Sequence, residues 1–145
     1  MAAPSVSQPA ADATDLAALL AADLELRGDS RIQPIEERYF LDRSRGLDEI
    51  EAALLALRLH GEVDAAVPRR DVVAAYRRFL RARPPMAGFV AMDLAAWEEW
   101  DATAQYVALL NADVIADPGG AFAALSYVQR SPDASAAAKL ELPDG

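Results

Sequence analysis

Apolar residues along this chain recur mostly at spacings of three and four, which is the period of an amphipathic α-helix. Capping residues, prolines and glycines mark where these periodic stretches begin and end. The pattern predicts helices that begin at Asp12 or Thr14, at Pro34, at Leu47, at Pro68, after Asp93 and after Asp117. The sequence therefore predicts an all-α, single-domain bundle of five to six helices.

The limits of this domain follow from composition. Residues 1–11 and 131–145 are rich in alanine, proline and serine, and we expect both segments to be disordered tails. The helical domain between them is predicted to span residues 12–130. A chain of 145 residues has the length of one domain, in agreement with this division.

In the first predicted helix, Leu16, Leu19, Leu20 and Leu24 are expected to form one core-facing stripe, with Gly28 ending the helix.

The predicted helix over residues 47–60, which Gly61 is expected to stop, is apolar on two sides. Leu54 and Leu57 fall on one face, whereas Leu55 and Leu59 fall on nearly the opposite face, together with Ala52 and Ala56. A helix of this kind lies either at the centre of a bundle or in an oligomer interface. We expect the central position, and we hypothesise that the second face forms a homodimer.

The net charge of −9 argues against nucleic acid as a partner, because affinity for phosphates comes chiefly from lysine and arginine. The predicted helix over residues 68–81 nevertheless places several arginines within about 100° of arc, opposite its apolar stripe. These are Arg70, Arg77, Arg78 and Arg81. We expect Arg77, Arg78 or Arg81 to contact acids of the 93–101 segment, among them Glu98 and Glu99. Docking of an acidic partner on the arginines is the alternative.

Trp97 and Trp100 flank these acids in a helix predicted to run from Asp93 to about Asn111. Tryptophan at helical spacing usually belongs to the core, which we expect for Trp97, while Trp100 lies nearer the acidic side. The alternative is an apolar pocket for a small molecule or peptide, lined by Trp97, Trp100, Tyr106 and Phe89. Together with the arginines and glutamates above, the tryptophans are the candidate binding residues.

The residues needed for catalysis are scarce. The chain has no cysteine, and its single histidine, His60, lies at a predicted helix end, where a cation is favourable without any function. We therefore expect no catalytic residue, no metal site and no cofactor. Two carboxylate pairs, Asp48-x-x-Glu51 and Glu98-x-x-Asp101, leave an Mg²⁺-dependent all-α nucleotide pyrophosphohydrolase as a second alternative. The first pair begins with Asp, however, and the two pairs lie further apart than such enzymes lead one to expect.

The function class predicted from the sequence is a non-enzymatic helical interaction module: an adaptor, an accessory subunit or an inhibitor of the immunity-protein type. Its partner is another protein or a second copy of the chain, bound through helix 47–60. No apolar run approaches 18 residues, so we expect no membrane partner. The first residues have neither a basic nor an apolar signal region, which favours a cytoplasmic location.

Overall fold

A computed structural model describes the backbone of residues 9–133 and the side chains of residues 14–133. The α-helices are α1 (Pro9–Arg27), α2 (Ile32–Ile35), α3 (Leu47–Val63), α4 (Arg69–Ala82), α5 (Ala91–Ala96), α6 (Thr103–Ala112) and α7 (Pro118–Arg130). The described residues contain no strand, and the predicted all-α bundle is confirmed. The predicted tails fall mostly outside the described residues, so the domain limits of 12–130 stay a prediction.

Short helical segments of other types connect several of these helices. A 3₁₀ turn over Gly28–Arg31 and a π-helical segment over Glu36–Phe40 flank α2. A second 3₁₀ segment, Pro84–Val90, leads from α4 into α5, and a third, Trp100–Ala102, leads into α6. The predicted short helix at Pro34 is therefore the middle of one longer helical run.

Contacts between Cα atoms divide the chain into two compact units, residues 1–75 and 76–145, with the boundary inside α4. In the first unit, α1 packs along α3, and the imidazole Nε2 of His60 lies 2.8 Å from the carbonyl oxygen of Ala21. Because a carbonyl oxygen only accepts, this nitrogen carries the hydrogen. The fully buried large apolar residues of this unit are Leu24, Phe40, Ile50, Leu57, Val67 and Val72.

The ends of α1 and α3 differ in part from the sequence prediction. α1 begins at Pro9, upstream of the predicted caps, and ends as predicted before Gly28, whose φ is +80°. The prediction that Gly61 stops α3 is wrong, because the helix continues to Val63. The side chain of Arg69 explains this extension, since its Nε donates to the Gly61 carbonyl at 2.7 Å and satisfies a helix-end acceptor.

In the second unit, α7 packs against the Pro84–Val90 segment, α5 and α6. The closest approach lies between Gly88 and Gly120, because a Cβ built on Gly88 would be 2.3 Å from the carbonyl oxygen of Gly120. The start of α7 follows the predicted cap, since the Asp117 carboxylate accepts from the Gly120 N–H at 2.6 Å. The fully buried large side chains of this unit are Tyr76, Phe79, Leu80, Leu94, Tyr106 and Tyr127.

Candidate functional site

The candidate arginines lie on α4, whose apolar face is buried as predicted. Arg70 is exposed and its Nε lies 4.0 Å from the carboxylate of the adjacent Asp71. Arg78 and Arg81 are exposed, and Arg77 is half-buried. The Nε of Arg77 donates to the side-chain oxygen of Gln105 at 3.4 Å, so this arginine contacts a neutral group on α6. A contact between an α4 arginine and the 93–101 acids stays a prediction.

The helix predicted from Asp93 to Asn111 is interrupted at Glu98. Glu98 has a left-handed backbone with φ of +56°, although it is not a glycine. The Glu98 N–H donates to the Ala95 carbonyl at 3.0 Å, and the Glu99 N–H donates to the Leu94 carbonyl at 2.9 Å. This pair of bonds is a Schellman motif, which ends α5. The predicted helix from Asp93 to Asn111 would have placed Glu98 and Asp101 on one helix face, and this placement is wrong.

The hydroxyl of Tyr127 holds this interruption in place from α7. It accepts from the Ala102 N–H at 3.3 Å and donates to the Glu99 carbonyl. One side chain therefore satisfies a backbone donor and a backbone acceptor that a continuous helix would have paired internally. No local sequence pattern indicates this contact, because Tyr127 lies 28 positions after Glu99.

The candidate aromatic residues pack against one another. The ring of Trp97 stacks on Tyr76 with centroids 5.7 Å apart, and the ring of Trp100 lies 5.1 Å from Tyr127. Both tryptophans are half-buried. Tyr106 is fully buried, and its hydroxyl donates to the Ala87 carbonyl at 2.7 Å.

Burial raises the pKa of Tyr106 well above its usual value, with the nearby Tyr127 and Asp93 adding to the rise. Burial also raises the pKa of Tyr127. Both phenols are therefore neutral hydrogen-bond donors over the physiological range. Tyr106 belongs to the core of its unit and presents no surface to a ligand. The half-buried Phe89 and the two tryptophans remain candidates for the predicted pocket.

The carboxylate pairs do not assemble a metal site. Asp48 and Glu51 are exposed on α3, while Glu98 and Asp101 lie in the interruption between α5 and α6. Among the described residues, no group of three or more His, Cys, Asp or Glu side chains is placed to hold a metal ion. The arrangement that the Mg²⁺-dependent alternative requires is absent there.

His60 is buried between α1 and α3. Its Nδ1 makes no hydrogen bond, and its Nε2–H is bound to Ala21. Nucleophilic or phosphotransfer chemistry requires an accessible ring nitrogen, which this histidine does not offer. The residue instead ties the two helices of the first unit together.

The most exposed leucines of the described chain lie on the outer side of α1. Leu19 and Leu26 are 69% and 83% exposed, and they lie seven positions apart. The exposed Ala18 and Ala22 lie on the same side of the helix, opposite the fully buried Leu24. We call Ala18, Leu19, Ala22 and Leu26 the α1 leucine face. The prediction that Leu19 belongs to the core stripe is wrong.

The second apolar face of α3 is covered in part. Ala52 and Ala56 are buried, as expected of a central helix, whereas Leu55 and Leu59 remain 41% and 46% exposed. Outside α1 and α3, the exposed large apolar side chains include Phe122 and Met92, which are 73% and 60% exposed. A single exposed apolar residue is ordinary and by itself indicates no site.

Comparison of this chain with known protein families, with curated protein sequences and with solved structures finds no match. No described helix is both long and apolar enough to cross a membrane. The candidate site therefore rests on the geometry of this molecule alone, and the α1 leucine face contains the two most exposed leucines among the described residues.

Proposed function

We propose that this chain is a non-enzymatic helical interaction module, in which the α1 leucine face binds a helix of another protein. The observation that carries the proposal is the exposure of Leu19 and Leu26 on one side of one helix. Residues seven apart recur on the same side of a helix and form the seam through which two helices pack. The small side chains of Ala18 and Ala22 on this side allow the backbone of a partner helix to approach closely.

The proposal gains support from the state of the other candidate residues. Tyr106 is fully buried, both tryptophans pack on tyrosine rings, and His60 is inaccessible. Each of these groups packs against residues of its own unit. The α1 leucine face has no comparable structural role, since its side chains point away from the buried Leu24.

The test compares two double variants in binding to a purified partner. Affinity capture followed by identification supplies the partner, which is then titrated against wild type, Leu19→Gln/Leu26→Gln and Leu55→Gln/Leu59→Gln by calorimetry. Each leucine contributes about 1.5–3 kcal/mol when buried, so losing both should weaken binding by at least about 100-fold. The α3 variant is the matched control and should bind within about threefold of wild type.

Circular dichroism must show that both variants keep the wild-type helix content. A partner that binds the Leu19→Gln/Leu26→Gln variant as tightly as wild type would refute the assignment of this face. Loss of binding in the α3 control alone would move the interaction surface to Leu55 and Leu59.

Self-association through helix 47–60 is the alternative partner choice for the same module. The exposure of Leu55 and Leu59 favours it, and the burial of Ala52 and Ala56 reduces the apolar area that a second copy would cover. Light scattering at high micromolar concentration tests it, because the monomer has a mass of 15.5 kDa. The cytoplasmic location expected from the sequence remains part of this proposal.

A further inference from the structure

Acidic side chains border the α1 leucine face. Asp15 lies on the same side of α1 as Leu19 and Leu26, one turn before Leu19, and Glu25 lies at one edge of this side. Asp29 follows directly after the helix, in the 3₁₀ turn. All three acids are exposed, and none of them forms an ion pair within the described part of the chain.

The two arginines in this region are already occupied by one shared carboxylate. The Nε atoms of Arg27 and Arg31 lie 3.3 Å and 2.6 Å from the two oxygens of Asp23. Residues 15–31 contain four acids and two arginines, which gives a net charge of −2. The rim of the leucine face is therefore negative, and its unpaired charges are acidic.

We infer that the partner of the α1 leucine face is a basic amphipathic helix, with leucine-like residues along one stripe and lysine or arginine on both flanks. This inference rests on the proposed function. Leu19 and Leu26 are separated by about 10 Å along the helix axis, so they match apolar residues one heptad apart on the partner. The flanking cations then lie opposite Asp15, Glu25 and Asp29. This arrangement favours a positively charged partner and accelerates its association.

The same charges disfavour the other occupants of this face. A second copy of α1 would bring its own net charge of −2 against the first in either orientation, and like charges across an interface are unfavourable. An anionic membrane surface would be repelled for the same reason. A basic helix is the partner class whose charge complements this rim.

The experiment uses the full chain and two synthetic peptides that differ only in their flanks. Both are amphipathic helices of three heptads with leucine at the seam, and one carries lysine at the flanking positions while the other carries glutamate. Binding is measured by fluorescence anisotropy at low and at high salt. We expect the lysine peptide to bind at least about tenfold more tightly, with the difference shrinking at 0.5 M NaCl, where the Debye length falls to a few ångströms.

Three variants separate the contributions. Asp15→Asn/Glu25→Gln/Asp29→Asn should remove most of the preference for the lysine peptide and leave the leucine contact in place. Leu19→Gln/Leu26→Gln should abolish binding of both peptides. Leu55→Gln/Leu59→Gln, on α3, is the control and should bind as the wild type does.

The inference and the proposed function fail in different ways. Equal binding of the two peptides, lost in Leu19→Gln/Leu26→Gln, would overturn the inference and keep the proposed function. Binding that persists in that variant would overturn both. Absence of saturable binding by the lysine peptide would overturn the inference. If the wild-type chain instead forms a dimer that Leu19→Gln/Leu26→Gln disrupts, the face binds a second copy.

Discussion

The contact between Gly88 and Gly120 makes the second unit sensitive to a single methyl group. A Cβ added at Gly88 would lie 2.3 Å from the carbonyl oxygen, 2.4 Å from the Cα and 2.6 Å from the carbonyl carbon of Gly120. All three atoms belong to the backbone, so no side-chain rotation relieves the overlap. Gly88→Ala should therefore push the Pro84–Val90 segment away from α7.

The size of this effect follows from the displacement. An ordinary contact begins at 3.4 Å, so the two backbones must separate by about 1 Å. The Ala116 N–H donates to the Pro85 carbonyl at 3.1 Å between the same two regions, and a separation of this size would break that bond. Overpacking costs about 1–3 kcal/mol and a lost hydrogen bond about 1 kcal/mol, so we expect Gly88→Ala to cost about 2–4 kcal/mol.

Two neighbouring glycines serve as graded controls. A Cβ at Gly119 would meet only the carboxylate of its own cap, Asp117, at 3.5 Å, so Gly119→Ala should stabilise the helix by about 0.5–1 kcal/mol. A Cβ at Gly120 would lie 3.2 Å from the Ile115 side chain, which gives an intermediate effect. Urea unfolding followed by circular dichroism gives the three free energies. Equal midpoints for Gly88→Ala and Gly119→Ala would refute the close approach of the two backbones.

The remaining predictions concern a helix end, the core and alkaline pH. Glu98→Gly should raise the free energy of unfolding by about 1 kcal/mol, because glycine adopts the left-handed backbone of this position without strain. The substitution also removes a negative charge from a helix C-terminus. An unchanged urea midpoint would contradict this prediction. Leu57→Ala should lower the free energy of unfolding by about 2–5 kcal/mol, because Leu57 is fully buried. Leu55 is 41% exposed, so Leu55→Ala should lower it clearly less. Equal losses of stability would show that α3 is oriented differently. The pKa of Tyr106 is raised in the folded state, so its contribution to the free energy of unfolding is complete below pH ~10, where the unfolded tyrosine titrates. That contribution is lost as the pH rises towards the folded pKa. Tyr106→Phe should therefore flatten the fall in stability above pH 10, and an unaltered alkaline unfolding curve would argue against its burial.

Most helix positions could be predicted from the sequence because their signals are local. Pro84 ends α4, Asp117 caps α7, and Gly28 ends α1. In each case the backbone or side chain of that one residue determines the helix end. The start of α3 at Gly46 belongs to the same class, since the Glu49 carboxylate accepts from the Gly46 N–H at 3.2 Å.

Two helix ends could not be predicted, because acidic residues occupy the left-handed position where glycine is usual. Asp64 and Glu98 end α3 and α5 with φ of 55° and 56°. At Asp64 the carboxylate also accepts from the Arg69 N–H at 2.7 Å, and the α5 interruption depends on Tyr127. Contacts with residues outside each helix stabilise these turns. The apolar periodicity within one helix carries no information about such contacts.

The same limitation affects the prediction that Arg77, Arg78 or Arg81 contacts acids of the 93–101 segment. That prediction assumed that one helix runs from Asp93 to Asn111 alongside α4. With α5 ending at Ala96 and α6 beginning at Thr103, the neighbour that Arg77 reaches is Gln105 on α6. The orientation of the candidate side chains in this region depends on an interruption that the sequence pattern did not reveal.

The candidate site arises from an excess of leucine in α1. Residues 16–26 contain five leucines, and a helix packed on one side covers only part of its circumference, so Leu24 is buried while Leu19 and Leu26 are exposed. Burying two such leucines on each side of a complex would gain about 6–12 kcal/mol, which is of the same order as the cost of association. The leucines alone therefore support only weak binding. A partner with cations opposite Asp15, Glu25 and Asp29 gains the additional attraction, so the acidic rim decides which helices bind this face.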